Sequence, residues 1–325
     1  MKVVAVIDPG KHQVKQPTEQ ASLPGSSHKL NTEERKILES RAARPFSATP
    51  RAFLKWAGSK RLLLSHLIEI LPAEIGTYYE PFLGSGSLFF LLRPKKAALS
   101  DRCGPLIETF SAVRDNVSSV IRHLRTMVPD VELYYGIRSS PSRGLYKRAA
   151  EFIYLNKTCW NGLYRVNSSG CFNVPYGRPK STVICDSENL RACALALRAE
   201  GVTLAVGDFA ESLANALPGD LVYLDPPYVT THTDNGFRDY NETLFSWKDQ
   251  ERLARMAQEL VAREVSVIVS NANHPEIISL YDGFSARSFE RKSTLSSDMT
   301  KRGRASEALL FRCFPTNGAA GVKNG

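Results

Sequence analysis

The tetrapeptide Asp225-Pro226-Pro227-Tyr228 follows directly on the apolar run Leu221–Leu224. A carboxylate beside a backbone carbonyl can accept both hydrogens of a planar amine. That draws the nitrogen toward tetrahedral geometry and releases a lone pair otherwise delocalised into an aromatic ring. The two prolines remove competing N–H donors and stiffen the turn. The tyrosine offers a face on which a base flipped from a duplex can stack. The chemistry this combination suits is transfer of a methyl group from a sulfonium to an exocyclic amine, with Asp225, Pro226 and Tyr228 as catalytic candidates. The same tetrapeptide also serves as a plain tight turn after a strand, so it does not decide by itself.

Four further groups of residues lie upstream. Glu80-Pro81-Phe82-Leu83-Gly84-Ser85-Gly86-Ser87 sits at the end of an apolar run and opens a helical one. Its glycines let the backbone approach a ligand closely, at the place where open α/β sheets bind ligands. Asp101, ending the next run, is placed to hold ribose hydroxyls, and Asp208-Phe209, ending a third, to bind or stack an adenine. Phe53–Lys60 sets aromatics beside Lys55 and Lys60 before a helix, a combination suited to cofactor and phosphate. Singly, each is an ordinary βα turn or helix cap. Four strand ends carrying ligand-type residues in order is a pattern chance seldom supplies.

The elements that must position these residues follow from the apolar pattern. Strands are predicted at Tyr78–Phe82, Ala97–Asp101, Thr203–Asp208, Leu221–Leu224 and Val265–Ser270, with Phe284–Phe289 and Glu307–Phe311 closing the sheet. Amphipathic stretches alternate with them. In Lys248–Arg263, for example, Leu253, Met256, Ala257 and Leu260 share one helix face. Strands alternating with helices imply an α/β fold with a mostly parallel sheet covered on both sides. Residues 105–199 break the alternation; they are rich in helix formers and aromatics and read as an inserted domain. The catalytic domain is then 49–104 together with 200–314. Residues 1–48, poor in large apolar residues, are expected to be mostly disordered, with one short helix at Asn31–Ala43, and 315–325 to form a disordered tail.

Composition narrows the partners. The net charge is +9, and two stretches exceed it between them: Arg138–Lys180 has eight Lys/Arg and one acid, Arg287–Arg304 six and two. A basic surface so concentrated favours nucleic acid. Between Trp160 and Arg178, the aromatics Trp160, Tyr164, Phe172 and Tyr176 interleave with Asn161, Arg165, Asn167 and Arg178. Arginine can fork onto a guanine, and an aromatic wedge can prop open a base stack. A surface hairpin with exposed aromatics is the plainer alternative. No apolar run reaches the roughly 18 residues of a membrane helix, and the apolar start Val3–Ile7 is too short for a secretory signal. The six cysteines form no C-x-x-C pair, so no metal site is expected.

Taken in order, FLKWAGSK, EPFLGSGS, LSD, LNKTCWNGLYRVNSSGCFNVPYG and YLDPPY resemble the Dam-type (D12) class of DNA adenine N6-methyltransferases, over roughly Phe53 to Phe311. The resemblance implies an S-adenosylmethionine-dependent, Rossmann-like fold with a seven-stranded sheet and a helical target-recognition insertion. It places the cofactor on Trp56, Lys60, Asp101 and Asp225, with the loop Phe82, Gly84 and Gly86 around its methionine part. It places double-stranded DNA on Lys55, Trp160, Asn161, Leu163, Arg165, Asn167 and Pro175. Trp160 stands where relatives often have tyrosine. Leu163 and Arg165, two residues apart, match GATC-reading relatives, so GATC or a site containing it is the expected target. A restriction-modification enzyme with another adenine target, an RNA or protein amino-methyltransferase, and an inactive DNA-binding module are the competing readings. A cytoplasmic, nucleoid-associated protein of bacterial or phage-like origin is expected; the sequence leaves the oligomeric state open, a monomer being compatible with it.

Overall fold

The computed structural model describes residues 21–22, 50–56, 60, 63–228, 245–292 and 304–314, with 21–22, 291–292 and 304–305 described through their backbone alone. The predicted helix Asn31–Ala43, the hydroxyl-rich run 293–303 and the tail 315–325 lie outside these residues.

The strands are β1 (Ala21–Ser22), β2 (Thr77–Glu80), β3 (Lys96–Asp101), β4 (Val202–Val206), β5 (Leu221–Leu224), β6 (Ser266–Ala272), β7 (Ser285–Lys292) and β8 (Arg304–Arg312). They form one sheet in the order β1-β7-β8-β6-β5-β2-β3-β4. Strands β2 to β8 are the seven expected; β1 adds two residues paired with Phe289 and Glu290. Strand β8 is antiparallel to both its neighbours, and the other pairings are parallel. The third predicted strand ends earlier than expected, at Val206; Asp208 instead caps the helix Phe209–Leu213 through a bond from the Ala210 N–H. An aspartate at that position satisfies an orphan helix donor more readily than it extends a ladder.

Strand β5 is buried along its whole length. Side chains on successive strand positions face opposite ways: Leu221 and Tyr223 join one apolar cluster, Val222 and Leu224 the other. The first cluster does not stop at the sheet. It runs through Phe53, Phe90 and Phe110 into Ile153, Tyr154 and Val174, so the stretch between β3 and β4 shares its core with the sheet. The helix Gly104–Leu124 packs on β3 and β4 with part of its surface, and on the helices Leu145–Thr158 and Ser187–Leu197 with the rest. No helix among the described residues is long and apolar enough to cross a membrane.

Chain order creates the crevice. From β2 the chain moves outward to β3 and β4, then re-enters on the other side of β2 as β5. At such a switch point the loops after the two central strands diverge and leave room for a ligand. The loops concerned are Glu80–Gly86 and the one starting at Asp225. Gly84 (φ +48°) and Gly86 (φ +64°) occupy the left-handed region, and a Cβ on Gly84 would lie 2.8 Å from Trp56 Cδ1.

The segment that carries Trp56 is laid in by two asparagines. Asn189 takes the Arg51 N–H on Oδ1 and gives Nδ2 to the Arg51 carbonyl, both at 2.8 Å. Asn156 does the same for Lys55, at 2.8 and 2.7 Å.

Candidate active site

Asp225 leaves the end of β5 with its Oδ1 2.8 Å from the Lys60 Nζ; the lysine side chain is 5% exposed and the carboxylate 21%. The same ammonium lies 4.8 Å from the centre of the Tyr228 ring. Burial works against the Lys60 charge, but Asp225, Tyr228 and Glu307 together outweigh it; the lysine pKa is raised and its ammonium stays charged at neutral pH. Burial pushes the Tyr228 phenol up despite the nearby ammonium, which keeps its hydroxyl neutral. That hydroxyl is 3.2 Å from Ser270 Oγ on β6.

The prolines of the turn are held from behind. Gln250, fully buried on the helix Trp247–Ala262, donates Nε2 to the Pro227 carbonyl at 3.1 Å. Its Oε1 accepts from Asn271 Nδ2 at 3.0 Å. The helix that supplies Gln250 begins in a capping box made by Ser246 and Asp249.

Across the crevice, the Asp101 carboxylate accepts from the Gly84 N–H (3.0 Å) and the Cys103 N–H (2.9 Å), which ties the end of β3 to the glycine loop. Burial still raises its pKa. Glu80 is fully enclosed, takes the Tyr78 hydroxyl at 2.9 Å, and is pushed by burial to a pKa of about 8. Asp208 accepts Arg252 Nη2 at 2.7 Å; burial opposes its charge, yet the guanidinium holds its pKa below the usual value. The Arg252 guanidinium lies 4.2 Å from the Phe209 ring centre. Phe209 is only 1% exposed and packs against Phe82 at 5.6 Å and Phe245 at 6.1 Å, leaving Phe82 the more open ring. A glycine loop that lets the Trp56 ring lie directly on it, a carboxylate at the β3 end and the half-buried Phe82 ring fit a nucleoside carrying a cationic sulfur.

The segment Trp160–Gly177 forms a hairpin with bridges Cys159–Tyr176 and Val166–Phe172. Trp56 packs against it, 5.7 Å from Tyr164, as well as over Gly84. Trp160 is half-buried and gives its N–H to the carbonyl of exposed Pro175 at 3.0 Å. Asn161 is exposed in the left-handed region, φ +54°. Leu163 is half-buried; Arg165 is exposed and steered by a 2.8 Å bond from Nε to Asn173 Oδ1. Asn167 turns its carboxamide oxygen inward, to the N–H groups of Ser169 and Cys171, and so closes the hairpin turn.

The sequence reading missed Gln250, Asn271, Ser270, Asn156 and Arg252. Gln250 left a signal: it lies three residues before Leu253 on the apolar stripe of its helix, where a polar residue needs a partner. Asn156 and Arg252 left none, since their partners are 101 and 44 residues away.

Comparison with known proteins bears on the same residues. A family model described as D12 class N6 adenine-specific DNA methyltransferase matches residues 56–295. The chain is 35% identical over 268 residues to the Type II methyltransferase M1.LlaDCHI of Lactococcus lactis subsp. cremoris, spanning 80% of this chain and 94% of that one. It is 35% identical over 285 residues to the Type II methyltransferase M.MjaIII of Methanocaldococcus jannaschii, spanning 80% and 98%. It is 32% identical over 267 residues to the DNA adenine methylase of Escherichia coli K12, spanning 80% and 95%.

Proposed function

This chain belongs to the D12 class of N6 adenine-specific DNA methyltransferases, and we propose that it uses S-adenosylmethionine to methylate adenine in double-stranded DNA at GATC or a site containing it. The observation that carries the chemistry is the Lys60–Asp225 pair beside Tyr228. The flipped adenine stacks on Tyr228. Its N6 hydrogens go to the Asp225 carboxylate, kept ionised by Lys60, and to the Pro226 carbonyl, oriented through the neighbouring Pro227 carbonyl that Gln250 holds. When bound, S-adenosylmethionine supplies the electrophilic methyl group. The amine that has gained a methyl sheds one hydrogen as a proton, and Asp225 is the base at that atom. Trp56, Lys60, Phe82, Gly84, Gly86, Asp101, Asp208 and Asp225 hold the cofactor, and Phe209, 1% exposed, backs the Phe82 ring.

For the target, the support is the hairpin. Leu163 can touch a thymine methyl and Arg165 can fork onto the N7 and O6 of a guanine. Trp160 enters beside the target step, with Lys55, Asn161 and Pro175 nearby. Asn167 supports this surface from the turn. Residues 105–199 are the DNA-facing part and the rest of the described chain is the methyl-transfer part. A second reading has its own support: relatives at 35% identity are Type II methyltransferases, so the chain fits equally the modification half of a restriction system with another adenine target. Plasmid modified by this chain is digested with nucleases that cut GATC only when methylated or only when not. Adenine methylation elsewhere with GATC untouched rejects the GATC target and leaves the enzyme class intact.

A further inference from the structure

We infer that Asn156 is a positioning residue for sequence discrimination, fixing the DNA-reading hairpin in register with Lys55 and with the tryptophan over the cofactor loop. The inference rests on the reading above that Lys55, Leu163 and Arg165 meet the DNA.

Asn156 lies in the helix Leu145–Thr158 and is 4% exposed. Its Oδ1 accepts the Lys55 N–H at 2.8 Å, and its Nδ2 donates to the Lys55 carbonyl at 2.7 Å. The carboxamide thus pairs with Lys55 as a neighbouring strand would. The same Nδ2 lies 3.4 Å from the Gly162 carbonyl, in the turn that opens the hairpin. One acceptor and two donors on a single rigid plane are what this junction uses, and a carboxamide is the neutral side chain that carries them. The junction is tight as well as bonded. A Cβ on Gly162 would lie 2.7 Å from both the Cβ and the carbonyl oxygen of Lys55. One residue on, the Trp56 ring rests between Tyr164 of the hairpin and Gly84 of the cofactor loop.

Base-edge contacts depend on orientation far more than phosphate contacts do. Two reading arms on separate chain segments read one site only if their spacing is fixed. Asn156 is the side chain that fixes it, and it touches neither Asp225 nor Tyr228. Loosening it therefore degrades discrimination, and weakens cofactor binding through Trp56, while the methyl-transfer step at the correct site is left nearly unchanged.

The test uses the full-length chain, Asn156→Ala and Asn156→Asp, with a duplex bearing the site the wild type methylates and duplexes altered at one base pair. For each, kcat and KM are measured alongside the melting temperature. Asn156→Ala should lower the cognate to near-cognate ratio of kcat/KM roughly tenfold or more, the scale expected for stranded buried backbone groups. The KM for S-adenosylmethionine should rise, with kcat on the cognate duplex nearly constant. Asn156→Asp sets an oxygen against the carbonyls of Lys55 and Gly162, and protonation restores the missing donor. Its ratio should recover relative to wild type as pH falls from about 8 toward about 6. If Asn156→Ala does not fold, this pH series decides. A variant with lowered melting temperature but an unchanged ratio, or an Asn156→Asp ratio that never recovers, overturns the inference. A wild-type chain that methylates no adenine in DNA overturns instead the functional reading beneath it.

Discussion

The Lys60 ammonium touches the Asp225 carboxylate at 2.8 Å, across 165 residues of sequence and at the mouth of the crevice between β2 and β5. The contact sets a cation on the carboxylate proposed to accept an amine hydrogen, and breaking it strands a charge at a mostly buried site. These two roles separate experimentally. Lys60→Met and Asp225→Leu should each destabilise, because each leaves its partner's charge at a mostly buried site. The double variant should be more stable than the sum of the single losses, a coupling that a urea double-mutant cycle reads directly. Methyl transfer should be absent from both Asp225 variants, while DNA binding persists on phosphate contacts. Near-wild-type turnover by Asp225→Leu would refute the catalytic assignment.

Gln250→Leu keeps much of the side-chain volume and removes the bond to the Pro227 carbonyl. The Asp225–Tyr228 turn then loses the contact that orients its peptide planes. The single-turnover rate should fall by up to about 100-fold, the scale of a misplaced reacting group. Dissociation constants for DNA and cofactor should change little. A rate loss matched by an equal loss of binding would mean that Gln250 supports the fold and not the turn.

Glu80 gives stability a pH dependence with a defined sign. Its folded pKa of about 8 stands above the ordinary 4.5 because burial disfavours the carboxylate. Between those values the unfolded chain releases the proton and the folded chain keeps it. Unfolding free energy therefore falls as pH rises through this window, with a limiting slope of about 1.4 kcal/mol per pH unit from this group. Glu80→Gln should lose that slope, as followed by denaturant melts from acid to mildly basic pH. Parallel profiles for the two proteins would show that Glu80 ionises in the fold.

Arg165 and Asn167 should fail in different ways. Arg165→Ala should cost about 1–3 kcal/mol of discrimination at one guanine and little elsewhere. Asn167→Ala removes the acceptor that closes the hairpin turn, so it should weaken binding to all duplexes alike. Competition binding against a panel of single-base variants distinguishes the two. A base-specific loss in Asn167→Ala would mean that its carboxamide turns outward to read the DNA.

Glu80–Gly86, Asp101 and Asp225 were legible because each sits at the end of an apolar strand, where the change from buried run to turn is written into neighbouring residues. Leu221–Leu224 with Asp225, and Tyr78–Glu80 with the glycine loop, needed only local pattern and the rule of the switch point. The extent of the third strand was misread because Asp208 looks the same as a strand end and as a helix cap. The partners were not legible. Nothing local to Asp208 announces Arg252, and nothing local to Lys55 announces Asn156, because periodicity reports which face is buried and not what it meets. Asn167 was read as a DNA contact from its place in the loop, and the bonds its carboxamide oxygen accepts from the Ser169 and Cys171 N–H groups were not visible there.

The two asparagines that seat residues 51–55 set a timetable for the molecule. Arg51 and Lys55 precede their partners by 138 and 101 residues. At ordinary rates of synthesis that is a wait of roughly 5–30 s before either asparagine exists, during which the segment can pack only on nearer partners such as Phe90, Phe110 and Gly84. The hairpin closes through contacts nearer in sequence, so the segment is made well before the two side chains that fix its backbone. Docking that segment closes long loops at once, the slow kind of step in folding. The backbone carrying Lys55 and Trp56 is therefore fixed only once the stretch between β3 and β4 has been made and folded.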